Sequence, residues 1–286
     1  MNLCSLPEIR ELLTRHGFHF SKSKGQNFLT QSWVVEQIAE SAGVARDCGV
    51  VEIGPGIGPL TEQLCLRAGK VLAIEVDETL RPVLAETMAG YDNLEILWGD
   101  AMKMDIAALV KERFDGLKPM ACANLPYYIT TPVLATLLEA GCFSSVTVMV
   151  QKEVAQRICA RAGTAEYGAF SVFCQFWAEP ELLFDVPAHC FIPQPKVTSA
   201  VLQLNLRKEP AYPVEDQALF FRTVRAAFAQ RRKTLLNTLA SGFSEFKKPE
   251  LEEIIIAAGF SPTVRGETLD LEGFTRLANE IAKNKR

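Results

Sequence analysis

Short apolar runs recur through the first two-thirds of the chain, separated by segments whose apolar residues fall three and four positions apart. The first pattern predicts strands and the second predicts helices. A short helix is predicted over residues 5–17, ending at Gly17, and an irregular polar and aromatic stretch follows over 18–29. Ser32 is predicted to cap a helix that runs to Ala42. Strands are then predicted at 49–53, 71–76, 94–98, 120–123 and 146–150. A glycine-rich turn leads from the first of these into a helix beginning near Leu60, and further helices are predicted over 79–88 and from Thr131. Alternating strands and helices predict parallel βαβ units in a doubly wound sheet. Two later strands, 181–186 and 197–206, have no helix between them, which predicts an antiparallel edge. Beyond Pro213 only helical patterns remain, at about 215–229, 231–241, 249–258 and 270–283. The chain therefore divides into an N-terminal segment (1–30), an α/β domain (31–208) and a helical C-terminal domain (209–286). The boundary is the charged stretch Arg207-Lys208-Glu209-Pro210.

Composition narrows the class. Of 286 residues 48% are apolar, enough for a substantial core, and 22% are charged. No apolar run reaches the ~18 residues of a membrane span. The N-terminus has acids inside an amphipathic run (Pro7-Glu8-Ile9-Arg10-Glu11-Leu12-Leu13), unlike a signal or transit peptide, so a cytoplasmic location is expected. Eight cysteines form no C-x-x-C pair, and the three histidines show no ligand spacing. Buried free thiols and no metal site are expected.

Net charge changes the picture further. The total of -4 combines a basic C-terminal part with an acidic remainder: residues 205–286 hold 14 Lys+Arg against 11 Asp+Glu. Lys22 and Lys24 lie in a basic N-terminal stretch. Arg222, Arg225, Arg231, Arg232 and Lys233 fall close together in the tail. The spacing of Arg222, Arg225 and Arg232 predicts one shared helix face. Such a run is either a solvated face or a phosphate-binding surface, and these seven residues are the candidates for that surface.

The candidate chemistry sits at strand ends. Glu52-Ile53-Gly54-Pro55-Gly56-Ile57-Gly58 joins the first strand of the sheet to its helix, with Gly54 and Gly56 allowing close approach of a ligand. Its G-x-G-x-G spacing departs from the G-x-G-x-x-G of dinucleotide loops, which argues against a nicotinamide-dependent oxidoreductase. Glu75, at the end of the second strand, can take both hydroxyls of a ribose. Asp100, after the third, can accept from an adenine amine. These elements suit an adenosyl group without a diphosphate, namely S-adenosylmethionine. After the fourth strand comes Asn124-Leu125-Pro126-Tyr127, hydrogen-bond acceptors fixed by a proline beside an aromatic ring. Such a group suits a flat base whose own amine attacks the methyl.

With these motifs in place the chain resembles the 16S rRNA adenine N6,N6-dimethyltransferase family over nearly its whole length. The resemblance includes Lys24-Gly25-Gln26-Asn27-Phe28-Leu29, Val51-Glu52-Ile53-Gly54-Pro55-Gly56, Gly99-Asp100-Ala101 and Asn124-Leu125-Pro126-Tyr127-Tyr128-Ile129. It continues through Val150-Gln151-Lys152-Glu153-Val154-Ala155 and Tyr167-Gly168. It ends with Phe191-Ile192-Pro193-Gln194-Pro195-Lys196-Val197-Thr198-Ser199. It implies a Rossmann-like class I methyltransferase sheet with a small all-helical C-terminal domain. It also implies cofactor contacts at Asn27, Leu29, Gly54, Glu75, Asp100 and Asn124; the first two come from the resemblance alone. The implied activity is dimethylation of N6 on two adjacent adenines in a 3′-terminal hairpin of 16S rRNA. The implied substrate is a pre-30S particle, and the enzyme is expected to act as a monomer without membrane association.

In the mechanism this suggests, the Asn124 side-chain oxygen and the Leu125 carbonyl accept the two N6 hydrogens, and Pro126 fixes the backbone between them. Tyr127 stacks on the base, and by resemblance Phe191 closes its other face. Tyr128 is ambiguous between pocket and core. Two neighbouring readings share much of this pattern. One is a 23S rRNA adenine dimethylase of the antibiotic-resistance type, and the other is an RNA-binding assembly factor with secondary catalysis.

Overall fold

The computed structural model describes residues 1–18 and 27–285. The chain begins with α1 (Leu6–Arg15), β1 (Phe28–Leu29), α2 (Ser32–Ser41), β2 (Cys48–Ile53), α3 (Pro59–Arg67) and β3 (Lys70–Glu75). Next come α4 (Arg81–Thr87), β4 (Leu94–Trp98), α5 (Ile106–Arg113), β5 (Lys118–Asn124), α6 (Thr130–Glu139) and β6 (Ser145–Gln151). Then follow α7 (Lys152–Cys159), α8 (Ala169–Trp177), β7 (Ala178–Val186), β8 (Phe191–Ile192) and β9 (Ser199–Leu206). The last elements are α9 (Gln217–Phe228), α10 (Leu235–Gly242), α11 (Lys248–Ala257) and α12 (Leu271–Asn284).

Seven strands form one sheet in the order β4-β3-β2-β5-β6-β9-β7. β4, β3, β2, β5 and β6 are mutually parallel, and β9 runs antiparallel to β6. This is the mixed sheet that the strand–helix rhythm predicts, with the antiparallel strand on the predicted side. β2 is buried at every position, as a strand covered on both faces must be. From β2 the chain winds outward through β3 and β4, then crosses back to β5 and β6. The reversal lies between β2 and β5, and a crevice opens there at the carboxyl ends of the strands. β1 and β8 form a separate antiparallel pair, with Leu29 opposite Phe191.

The contacts divide the chain into two compact units, Met1–Ala155 with Glu181–Leu206, and Gln156–Pro180 with Arg207–Arg286. The first contains the sheet. Its core combines Val34, Val35 and Ile38 of α2, Leu60 and Leu64 of α3 and Val50 of β2. In the second, Phe176 of α8 lies 4.9 Å from Phe220 of α9 between ring centroids, and Phe228 lies 5.7 Å from Phe274 of α12. α12 buries Phe274, Leu277, Ala278 and Ile281, one stripe at helical spacing, and Asp270 caps it by accepting the Gly273 amide.

The structure departs from the sequence reading at four places. Residues 156–180 pack with the C-terminal helices, whereas the pattern draws a single boundary near 208. Within that stretch α8 (Ala-Phe-Ser-Val-Phe-Cys-Gln-Phe-Trp) has only Ser171 and Gln175 as polar positions. α5 and α7 also go beyond the predicted set; α7 follows β6 directly, with no turn residue to mark its start. The residue before α2, Gln31, occupies the capping position, and Ser32 is already helical. Lastly, α9 ends at Phe228 and α10 begins at Leu235, so Arg231, Arg232 and Lys233 lie in a turn. Arg232 therefore does not share a helix face with Arg222 and Arg225. Lys22 and Lys24 lie outside the described residues. Among the described residues no helix is long and apolar enough to cross a membrane.

Candidate active site

One pocket in the sheet-bearing unit gathers every cofactor and catalytic candidate of the sequence: Asn27, Leu29, Gly54, Gly56, Glu75, Asp100, Asn124, Leu125, Pro126, Tyr127 and Phe191. It lies at the carboxyl ends of β2, β3, β4 and β5, where the topology reverses.

The loop after β2 forms its floor. Gly54 has φ +73° and Gly56 has φ +63°, conformations that a side chain would strain. A Cβ built on Gly54 meets no protein atom within 4 Å, so the space above it is open for a ligand. Glu75, 5% exposed at the end of β3, accepts the Gly56 amide on Oε2 at 3.2 Å and the Asp77 amide on Oε1 at 2.8 Å. Burial holds its pKa above the usual carboxylate value; the Asp77 and Gly56 amides oppose that rise, and the charge of Asp77 adds to it. Asp100, after β4, caps the turn 101–103 by accepting the Met102 amide on Oδ1 at 3.0 Å. Its Oδ2 lies 3.6 Å from Lys103 Nζ.

Beneath the loop sits Glu52, a residue the sequence offers only as part of a motif. It is 1% exposed, and its Oε2 has no hydrogen-bond partner. Burial pushes its carboxyl up to about 8; the neighbouring Thr61 hydroxyl opposes that rise, and the charge of Glu75 adds to it. Val76 and Met102 were also missed. They are 58% and 41% exposed and stand near Glu75, which ends β3, and Asp100, which follows β4. Apolar side chains one or two positions after strand-end acids are the signal that could have found them, since a flat ring would cover both.

The donor set discriminates between ligands. Four acids line the pocket (Glu52, Glu75, Asp77 and Asp100), and among the described lining residues there is no Lys, Arg or His. A pyrophosphate would find no cation among the described lining residues. A sulfonium and an ammonium would find acidic side chains, one of them, Glu52, with an unpartnered oxygen. The open space over Gly54, the diol-ready Glu75 and the exposed Val76 and Met102 fit an adenosyl cation.

At the other side of the pocket β5 delivers Asn124. Its side-chain amide makes no hydrogen bond among the described residues, although it is half-buried. The next residue is locked to the sheet, the Leu125 amide donating to Met149 O at 3.2 Å. Pro126 takes φ −56° and ψ 132°, and Tyr127 then starts a short helical turn. Tyr127 is half-buried, and its hydroxyl shares a 2.7 Å hydrogen bond with that of Ser199. Phe191, 5% exposed, lines the pocket from β8, and β8 pairs with β1, which carries Leu29 beside Asn27. The pairing explains how segments so distant in sequence reach one pocket. Tyr128 stands 59% exposed at the pocket, so it is not a core residue.

The basic candidates of the C-terminal unit separate into two kinds. Arg222 donates to Gly242 O at 2.8 Å, pairs with Glu245 at 2.7 Å and lies 4.2 Å over the Phe243 ring. Arg231 donates to Ala165 O at 2.5 Å and to Tyr167 O at 3.2 Å. Both therefore tie parts of the helical unit together. Arg225, Arg232 and Lys233 are exposed.

A profile described as ribosomal RNA adenine dimethylase matches residues 17–282. The ribosomal RNA small subunit methyltransferase A of Geobacillus thermodenitrificans is 46% identical over 276 residues, covering 95% of this chain and 94% of that protein. The protein of the same name from Alkaliphilus oremlandii is 43% identical over 282 residues, covering 98% of each. Among solved structures, a dimethyladenosine transferase from Plasmodium falciparum matches with a TM-score of 0.74 at 25% identity, over 89% of this chain and 97% of that one. The 23S rRNA methyltransferase ErmE matches with a TM-score of 0.66 at 25% identity, over 89% and 99%.

Proposed function

The chain belongs to the ribosomal RNA adenine dimethylase family, and from that premise we propose that it dimethylates N6 of two adjacent adenines in a 3′-terminal hairpin of 16S rRNA. The substrate is an assembling small subunit in the cytoplasm, and the cofactor is S-adenosylmethionine. When bound, the cofactor supplies an electrophilic methyl group on a sulfonium. Glu75 holds the ribose hydroxyls, Asp100 accepts from the adenine amine, and Asn27, Leu29, Gly54 and Gly56 complete the cradle.

The target N6 is a weak nucleophile because its lone pair is delocalised into the ring. The Asn124 side-chain oxygen and the Leu125 carbonyl accept its two hydrogens, draw nitrogen toward a tetrahedral shape and stabilise the positive charge that builds on it. Pro126 keeps these acceptors in place, which makes the positioning a property of the fold. Tyr127 and Phe191 stack on the two faces of the base, a contribution of about 1–3 kcal/mol per ring. That also offsets the cost of drawing the adenine out of its surroundings. No strong base is required, because the alkylated nitrogen is acidic. The reading takes the enzyme to act as a monomer.

The observation that carries this reading is the Asn124 amide, unpartnered at the end of β5 in the same pocket as Glu75 and Asp100. Curated relatives named for the small subunit, at 43–46% identity over nearly the full length, favour 16S rRNA. The match to a 23S rRNA methyltransferase keeps the large-subunit reading as the second possibility. The test is methylation of unmodified ribosomal particles with labelled cofactor, mapped by primer extension. Stops at two adjacent adenines of the 16S hairpin are expected. Stops in 23S rRNA would select the second reading, and unlabelled rRNA would overturn both.

A further inference from the structure

Ser199 opens β9 with 0% exposure. It lies opposite Gln151 of β6, and the preceding carbonyl, that of Thr198, accepts the Lys152 amide at 3.0 Å. Its backbone is thus part of the sheet. Its hydroxyl shares the 2.7 Å hydrogen bond with Tyr127. Tyr127 is therefore held at both ends, by Pro126 at the backbone and by Ser199 at the tip of the ring. A tyrosine side chain has only two torsions, so a bond at its far end restricts both. The stretch that ends at Ser199 begins at Phe191, which is fixed by its pairing with Leu29. One segment, 191–199, thus carries one proposed stacking ring and anchors the other.

We propose that Ser199 is a positioning residue for the target adenine. Acting through Tyr127, it fixes the ring plane on which the base packs, and it matters more in the second methyl transfer than in the first. This rests on the reading above that Tyr127 stacks on the base. An unmethylated N6 presents two hydrogens to Asn124 and Leu125, whereas a monomethylated N6 presents one. With one hydrogen bond fewer, ring packing carries a larger share of the alignment. Freedom in the Tyr127 ring is therefore felt most at the second step.

The test compares Ser199→Ala, Tyr127→Phe and the double variant, all of which keep the aromatic ring and remove the same hydrogen bond. Single-turnover methylation of unmodified small subunits is followed by digestion and separate quantification of monomethyl- and dimethyladenosine. Melting temperature and cofactor affinity are measured alongside. All three variants are expected to lower the rate of the second transfer relative to the first by about tenfold, the effect of one hydrogen bond, whatever the first transfer becomes. Monomethyladenosine then accumulates, and the double variant behaves like either single one. A merely structural role would lower both transfers and the melting temperature together and leave the product ratio at the wild-type value, which overturns the proposal. So does a wild-type ratio at full activity. Should Ser199→Ala fail to fold, Tyr127→Phe makes the same test from the half-exposed partner. Tyr127→Ala separates the two levels of inference. If it retains turnover, the stacking reading falls and this proposal with it. If it is inactive while the other variants keep the wild-type ratio, only the role of Ser199 falls.

Discussion

The Gly56 amide donates to Glu75 Oε2 at 3.2 Å, joining the glycine loop after β2 to the acid that ends β3. The second oxygen of Glu75 takes the Asp77 amide at 2.8 Å. Two backbone donors on a 5% exposed carboxylate set its plane before any ligand arrives. A carboxylate has about four acceptor sites, so a pair remains for a diol. The loop and the acid are therefore one device, and a change in either disturbs the other.

Glu75→Gln tests that device. The amide retains one acceptor oxygen but places an NH2 against one of the two backbone donors. Cofactor affinity is expected to fall by roughly 10- to 100-fold, the equivalent of about 1.5–3 kcal/mol for hydrogen bonds to a charged group. Calorimetric titration measures it. An affinity within a factor of about three of the wild type would remove Glu75 from the ribose site.

Glu52 predicts a pH dependence. Its carboxyl is pushed up to about 8 by burial, while in an unfolded chain it ionises near ~4.3. Between those values the folded protein keeps a proton that the unfolded chain has lost, so stability falls as pH rises and levels off above about 8. Glu75 is raised as well and adds a slope of the same sign. The melting temperature of the free protein should drop between pH 5 and 8, and Glu52→Gln, neutral throughout, should remove much of that slope. A cation bound in the pocket favours the ionised carboxylate, so cofactor binding near pH 7 should release a proton. The binding enthalpy should then vary with the ionisation enthalpy of the buffer more in the wild type than in Glu52→Gln. An equal buffer dependence in both proteins would exclude Glu52 as the source.

Asn124→Ala should separate chemistry from binding. Removing a preorganised group that stabilises developing charge costs on the order of 10²–10³ in rate. Turnover is expected to fall by that factor while cofactor affinity changes by less than about tenfold, because Glu75, Asp100 and the loop remain. Both are measured on one preparation. Turnover within about tenfold of wild type would assign the hydrogen-bond acceptors elsewhere.

The parts of this molecule that were legible in its sequence are those whose signal is local. The β2 and β3 runs, the loop between β2 and α3 and the Asn124-Leu125-Pro126-Tyr127 stretch are each contiguous, so period and spacing identify them. Glu52 was not legible, because whether a carboxylate lacks a partner depends on groups brought in from α3 and β3. The Tyr127–Ser199 bond joins residues 72 positions apart and is carried by sheet register. Asp100 shows how two readings of one residue can both hold. One oxygen caps a turn, as strand-end acids commonly do, while the side chain also lines the pocket. Arg222 and Arg231 looked alike in sequence to Arg225, Arg232 and Lys233, and tertiary partners alone separate them.

That separation makes the last prediction. Arg222 holds the Gly242 carbonyl, the Glu245 carboxylate and the Phe243 ring at once. Arg222→Ala should therefore destabilise the protein by about 1–3 kcal/mol through lost hydrogen bonds and ring contact. Arg231→Ala should act in the same direction, releasing the carbonyls of Ala165 and Tyr167. Arg232→Ala and Lys233→Ala remove exposed cations and should leave the melting temperature unchanged. If those two residues meet phosphates, each substitution weakens binding to ribosomal RNA and reduces the slope of log affinity against log salt by about one. Thermal melts and RNA binding at several salt concentrations, run on all four variants, decide the matter. A salt slope unaffected by Arg232→Ala and Lys233→Ala would take both residues out of the RNA interface. A lowered melting temperature for these two, with Arg222→Ala unaffected, would reverse the division argued from the contacts.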